Sequence, residues 1–141
     1  PAAYQDFLAD YLEAAFHNPI LSLKDNLFSI LLYERGLAPT GGCTGYGCGA
    51  AFNFLTLLSD GEVHACRKLP SCLGNLRESS LTAIYDSAMA QRYRLGCQAC
   101  RTCPLHPSCG GCLAVTASLG RDPLTERDPF CFRRDALNNS D

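Results

Sequence analysis

CQACRTCPLHPSCGGC, residues 97–112, places Cys97, Cys100, Cys103, Cys109 and Cys112 within sixteen residues. Gly110 and Gly111 let the backbone turn tightly beside whatever the sulfurs hold. Three uses of such a run compete: disulfides, zinc, or an iron-sulfur cluster. Cysteines two residues apart can face one metal centre, whereas bridging such near neighbours to each other strains the disulfide. Metal is therefore the leading reading. Cys43, Cys48, Cys66, Cys72 and Cys131 lie on both sides of the run, so the chain before and after it must fold back towards it. Ten thiols could serve two four-thiolate sites with two left over.

The chain has 141 residues, 47% of them hydrophobic, which is one domain of ordinary size with enough apolar mass for a core. Ten cysteines in 141 residues is about 7%, short of the roughly 8 to 10% of a small disulfide scaffold, and a chain this long does not need staples to fold. No secretory signal opens the sequence and no stretch approaches the roughly 20 apolar residues of a membrane span, so a cytoplasmic location is expected. A formal charge of −2 and the lack of any Lys/Arg cluster argue against a nucleic-acid partner or a membrane surface. The first residue is Pro1 rather than Met, which raises the expectation of a fragment or processed product.

From Tyr4 to Phe16 the apolar residues Tyr4, Phe7, Leu8, Tyr11, Leu12, Ala15 and Phe16 form a helical stripe, which Asn18-Pro19 ends. A second helix is expected from Ser22, capped with the help of Asp25, through Leu27, Ile30 and Leu31 to Gly36. Residues 38–49 are too glycine-rich for regular structure and read as a loop that delivers Cys43 and Cys48. Phe52 to Leu58, the turn Ser59-Asp60-Gly61, and Glu62 to Cys66 predict a β-hairpin, with Glu62, His64 and Cys66 on one face. Leu81, Ile84, Tyr85 and Ala88 predict a third helix, capped by Ser79 or Ser80 and stopped near Gly96. Leu113 to Leu119 predicts one or two helical turns, after which Asp128-Pro129-Phe130 brings Cys131 back. The fold class is α+β: a small β-hairpin and cysteine-rich loops, flanked by helices.

Written as spacing, Cys48 is followed by Gly61 and Cys66, then by Cys100, Cys103, Cys109 and Cys112, then by Cys131. This pattern resembles the SPASM domain, the C-terminal auxiliary-cluster module of radical SAM enzymes that modify peptides and proteins. The likeness runs from about Cys43 to Cys131, and the stretch LGNLRESSLTAIYDS, residues 73–87, is similar to the segment the family places between hairpin and cysteine run. The resemblance implies two [4Fe-4S] clusters, the first held by Cys43, Cys48, Cys66 and Cys112, the second by Cys100, Cys103, Cys109 and Cys131. It also implies a division of the chain into a helical lead-in, 1–42, that docks on a preceding radical SAM barrel, a cluster domain, 43–135, and a polar tail, 136–141. The implied partners are that barrel and a precursor peptide substrate. Electron transfer and substrate placement are the implied work.

The chain departs from the family pattern in three places. Only Gly110-Gly111 separates Cys109 from Cys112, where the family usually has three residues; Cys72 and Cys97 are extra; and Arg67 follows the hairpin cysteine where sulfatase-maturing members carry an Asp base. Peptide modification is thus favoured over a sulfatase-type oxidation. The CxxxCxxC loop that binds S-adenosylmethionine is missing, so that cofactor would enter only through a domain not present in these residues, and this chain alone is expected to have no catalytic residue. Cys72 reads as an idle thiol, and His17, His64 and His106 as structural histidines, with His64 close enough to Cys66 to influence a cluster. A free-standing ferredoxin-type electron carrier and a zinc-stapled interaction module are the competing readings.

Overall fold

The computed structural model describes residues 2–42 and 45–133. Helix α1, Ala2–His17, buries Leu8 and Leu12, one turn apart on a single face. That face is narrower than the apolar stripe: Phe7 and Phe16 stand about half exposed. Asn18 closes the helix, its backbone N–H returning to the Ala15 carbonyl at 3.4 Å and its side-chain oxygen accepting from the Ile20 N–H at 3.1 Å.

Helix α2, Phe28–Glu34, starts later than a Ser22 cap predicts. Asp25 is drawn elsewhere: its carboxylate accepts the Tyr4 hydroxyl at 2.6 Å and the Leu27 N–H at 2.8 Å, which makes it a tie between α1 and the approach to α2. Phe28, Ser29, Ile30, Leu31 and Leu32 are all buried, as in a helix covered on every side. It ends in a Schellman arrangement, with Gly36 N–H to Tyr33 O at 3.0 Å and Leu37 N–H to Leu32 O at 2.9 Å.

Strands β1, Gly41–Gly42, and β2, Tyr46–Gly47, pair in parallel across the loop that carries Cys43. The hairpin is present as β3, Thr56–Leu57, and β4, Glu62–His64, with Asp60 Oδ1 accepting the Glu62 N–H at 3.1 Å at its tip. A third strand, β5, Cys72–Asn75, adds to β4, so the sheet order is β3-β4-β5 and all pairs are antiparallel. The single helix expected after Ser80 is two: α3, Leu81–Tyr85, and α4, Ala88–Arg94. Ser80 and Ser87 each cap one, accepting the Ala83 and Ala90 N–H groups at 3.2 Å. Ser87 thus competes for the backbone and breaks a stripe that periodicity alone would carry through. A 3₁₀ turn, Gln98–Cys100, opens the cysteine run, and α5, Leu113–Ser118, follows it.

Two apolar cores result, and the cysteine run belongs to both. In the first, α1 and α2 pack Leu8, Leu12, Leu27, Ile30 and Leu31 against Leu105, Cys109 and Phe132. In the second, Ala50, Ala51, Ala65 and Leu69 meet Ala90, Cys97, Cys100 and Leu113. Each fully buried Leu contributes about 1.5 to 3 kcal/mol, so the helical lead-in is a structural part of the cysteine site's scaffold. Among the described residues no helix is long and apolar enough to cross a membrane. The tail 136–141 lies outside the described residues.

Candidate metal centre

The run is tied down from three directions. From α2, Ser29 Oγ donates to the Ser108 carbonyl at 2.8 Å, and from just before it Asn26 Nδ2 donates to the Gly111 carbonyl; both residues are buried. From the C-terminal return, buried Asp128 accepts the Cys112 N–H on Oδ2 at 2.8 Å and the Phe130 N–H on Oδ1 at 2.9 Å. From the β1/β2 loop, Gly47 lies so close that a Cβ there would stand 2.7 Å from the Cys109 carbonyl oxygen. Gly111, at φ 68°, likewise leaves no room for a Cβ, which would meet the Asp128 side chain at 2.8 Å.

This bracing brings Cys100, Cys103, Cys109 and Cys131 to one cavity, with Leu27, Ile30 and Leu105 as its apolar wall. The cavity opens between the run, α2 and the C-terminal return. Arg127 and Arg133 also line it. Burial pushes the Cys109 thiol up to about 12 and raises Cys131 as well. Backbone N–H groups work the other way, that of Gly111 at the Cys109 sulfur and that of Arg133 at the Cys131 sulfur. The same two-residue step recurs at Cys66, whose Sγ accepts the Lys68 N–H at 3.5 Å. Amides aimed at sulfur two residues back stabilise thiolate, the form that binds metal.

Cys97 stands outside this cavity. It is buried, its Sγ lies 2.9 Å from the Glu126 carbonyl oxygen, and it contacts Cys100. The Cys97 thiol donates to that carbonyl, and the hydrogen bond between the two thiols, with burial, pushes Cys100 up. Cys97 therefore pins the 124–127 segment to the run, aided by the Gln98 N–H on Leu124 O at 2.9 Å.

Of the residues assigned to a first cluster, Cys48, Cys66 and Cys112 do not line this cavity. Cys43 lies outside the described residues. Cys48 and Cys66 both pack on the second core, and Cys48 opens onto a cleft with Tyr46, Tyr93 and Arg94 that Cys109 also lines and that neither Cys66 nor Cys112 lines. Cys66, Cys72, Cys97, Cys100, Cys103, Cys109 and Cys131 are free thiols. Cys72 on β5 is exposed and sits with Glu62 and His64, their ligand atoms within 4.8 Å of one another. That trio is better explained as a hydrogen-bonded pair beside a thiol. His64 Nδ1 accepts the Ser71 N–H at 3.1 Å, which leaves the proton on Nε2 pointing at Glu62 at 2.9 Å and no lone pair there for a metal. His64 is thus engaged with Ser71 and Glu62. His106 Nε2 faces the Leu95 carbonyl at 3.2 Å.

Arg127, Asp128 and Arg133 went unread as site residues in the sequence, since each carries no spacing signal. Only the short step from Asp128 and Arg133 to Cys131 hints at them.

Residues 48–113 match the family model of SPASM, an iron-sulfur cluster-binding domain, the family that the cysteine spacing resembles. The match begins after Cys43 and ends before Cys131. No curated protein and no solved structure matches the chain.

Proposed function

We propose that the SPASM domain of residues 48–113, completed by Cys43 and Cys131, is the auxiliary electron-transfer module of a radical SAM enzyme that modifies a peptide. The observation that carries this reading is the apolar-walled cavity lined by Cys100, Cys103, Cys109 and Cys131. Four thiols from separate turns of the chain, met by amide N–H groups and by Arg127 and Arg133, suit a [4Fe-4S] cluster in donor type, number and compensating charge. Zinc would fit such a set in donor type and number as well; the family match favours iron. Cys43, Cys48, Cys66 and Cys112 would hold the other cluster.

A bound cluster supplies a one-electron acceptor and donor. The chain's own residues do the rest. Leu27, Ile30 and Leu105 keep water from the sulfurs, Asp128 fixes the run against the return, and the arginines offset thiolate charge. The half-exposed Phe7, beside Tyr11 on α1, is part of the apolar surface we assign to the barrel. S-adenosylmethionine would be bound by that barrel, and the precursor peptide would lie between the two.

Iron and sulfide analysis of anaerobically prepared full chain tests the reading. About eight of each per chain is expected for two cubane clusters; about four would overturn the two-cluster reading. Cys131→Ala should lower iron towards half, whereas Cys97→Ala should leave it unchanged. Equal loss in both would mean that the four-thiol cavity does not define a site.

A further inference from the structure

Residues 131–133 meet the four-thiol cavity three times: through the Cys131 thiol, through the Arg133 N–H at the Cys131 sulfur, and through the Arg133 side chain. Between them, buried Phe132 is anchored in the first core, which sets where Arg133 emerges. The Arg133 guanidinium places Nη1 2.8 Å from Cys103 Sγ, thirty residues away in the chain. Its central carbon lies 5.7 Å from the centre of the Tyr33 ring on α2. A planar cation held against an aromatic face keeps its fork in one orientation, which a lysine ammonium cannot do. Arg127 also lines the cavity, and its Nη2 donates to the Ala99 carbonyl at 3.3 Å.

We propose that Arg133, seated on Tyr33, is a positioning residue that hydrogen-bonds the Cys103 sulfur and raises the reduction potential of the cluster held by Cys100, Cys103, Cys109 and Cys131. The inference rests on the cluster reading above. Its physics is direct: adding one electron makes the cluster and its thiolates more negative, and a cation donating N–H to one of those sulfurs stabilises the reduced form more than the oxidised. The electron comes from the external one-electron titrant, and no bond to the chain is made or broken. Because the contact is to a ligand sulfur, its loss should change potential before it changes occupancy.

The test is a redox titration of the iron-loaded full chain followed by electron paramagnetic resonance, with the couple that disappears in Cys131→Ala marking this site. Arg133→Gln should lower that potential while iron content holds, Arg133→Lys should recover part of the drop, and Arg101→Gln, the same charge change on an exposed residue that does not line the cavity, should leave it in place. An unchanged potential in Arg133→Gln, or an equal drop in Arg101→Gln, overturns the proposal. If Arg133→Gln fails to fold, Arg133→Lys and Tyr33→Leu carry the test, and both must lie below wild type. Wild type that takes up no iron defeats the cluster reading instead. Cobalt(II) alone then probes the same thiols: Arg133→Gln must weaken its binding about tenfold, the value of one hydrogen bond to a charged group, and shift the thiolate-to-cobalt absorption. Equal affinity and an unmoved band would overturn it.

Discussion

Asp128 shows how much one side chain can organise. Its two carboxylate oxygens serve Cys112 N–H at 2.8 Å and Phe130 N–H at 2.9 Å, so one buried group holds the end of the run and aims Cys131. The nearby Gly111 lets the two segments touch. Replacing Asp128 with Ala leaves two backbone donors unmet in a buried place, at a cost of about 2 to 3 kcal/mol. Urea unfolding of the metal-free chain should show that loss for Asp128→Ala and a smaller one for Asp128→Asn, which keeps one acceptor oxygen. Stability equal to wild type would mean that the return is held by Phe132 alone. The sequence marks Asp128-Pro129 as a stiff turn, yet nothing in it says that the carboxylate reaches back sixteen residues.

At the level of elements, α1 is held by its buried leucines and by polar ties, among them the Glu13–Arg35 ion pair at 2.6 Å. Tyr4 donates to Asp25 at 2.6 Å, and its ring centre lies 5.1 Å from that of Phe130. Burial, and then the carboxylate, raise the Tyr4 hydroxyl above its ordinary value near 10. A raised folded value means that the tie is whole below about pH 10 and that stability is lost as pH climbs through the folded value, because the unfolded chain gives up the proton first. At pH 7, Tyr4→Phe should cost about 1 kcal/mol, a typical net hydrogen bond. Comparing thermal unfolding of the pair at pH 7 and 11 should show the gap narrowing. A gap independent of pH would show that Tyr4 acts through its ring only. The apolar stripe of α1 was legible, but its inner face is smaller than the stripe, because the partners run out before Phe7 and Phe16 are covered. The split between α3 and α4 was written in Ser87, a capping residue that periodicity overruled.

Across the whole molecule the cysteine run is the seam between two cores, Cys109 and Leu105 in one and Cys97, Cys100 and Leu113 in the other. Metal bound at the seam stabilises only the folded chain, so the two cores should gain together. Stripping iron with a chelator under reducing conditions should lower the melting temperature by roughly 10 °C, as a single transition seen alike by near- and far-ultraviolet circular dichroism. Two separated transitions would show that each core holds itself and that the seam carries no coupling.

What could be read from the residues alone was the thiol spacing and the likeness to an iron-sulfur cluster-binding family over residues 48–113. Thiols at two-residue steps between glycines are a local arrangement, and spacing preserves it in any surroundings; the α+β class and the Asp-Gly hairpin are local in the same way. Tertiary structure alone decided which thiols stand around one space and which stand apart. Cys97 and Cys100 are three residues apart, yet one faces the Glu126 carbonyl and the other the cavity, because segments far along the chain close over them. It also supplied Arg133, which reaches Cys103 from thirty residues away and rests on a tyrosine of α2. Such a pairing depends on how two distant segments pack, and a spacing pattern carries no term for that distance.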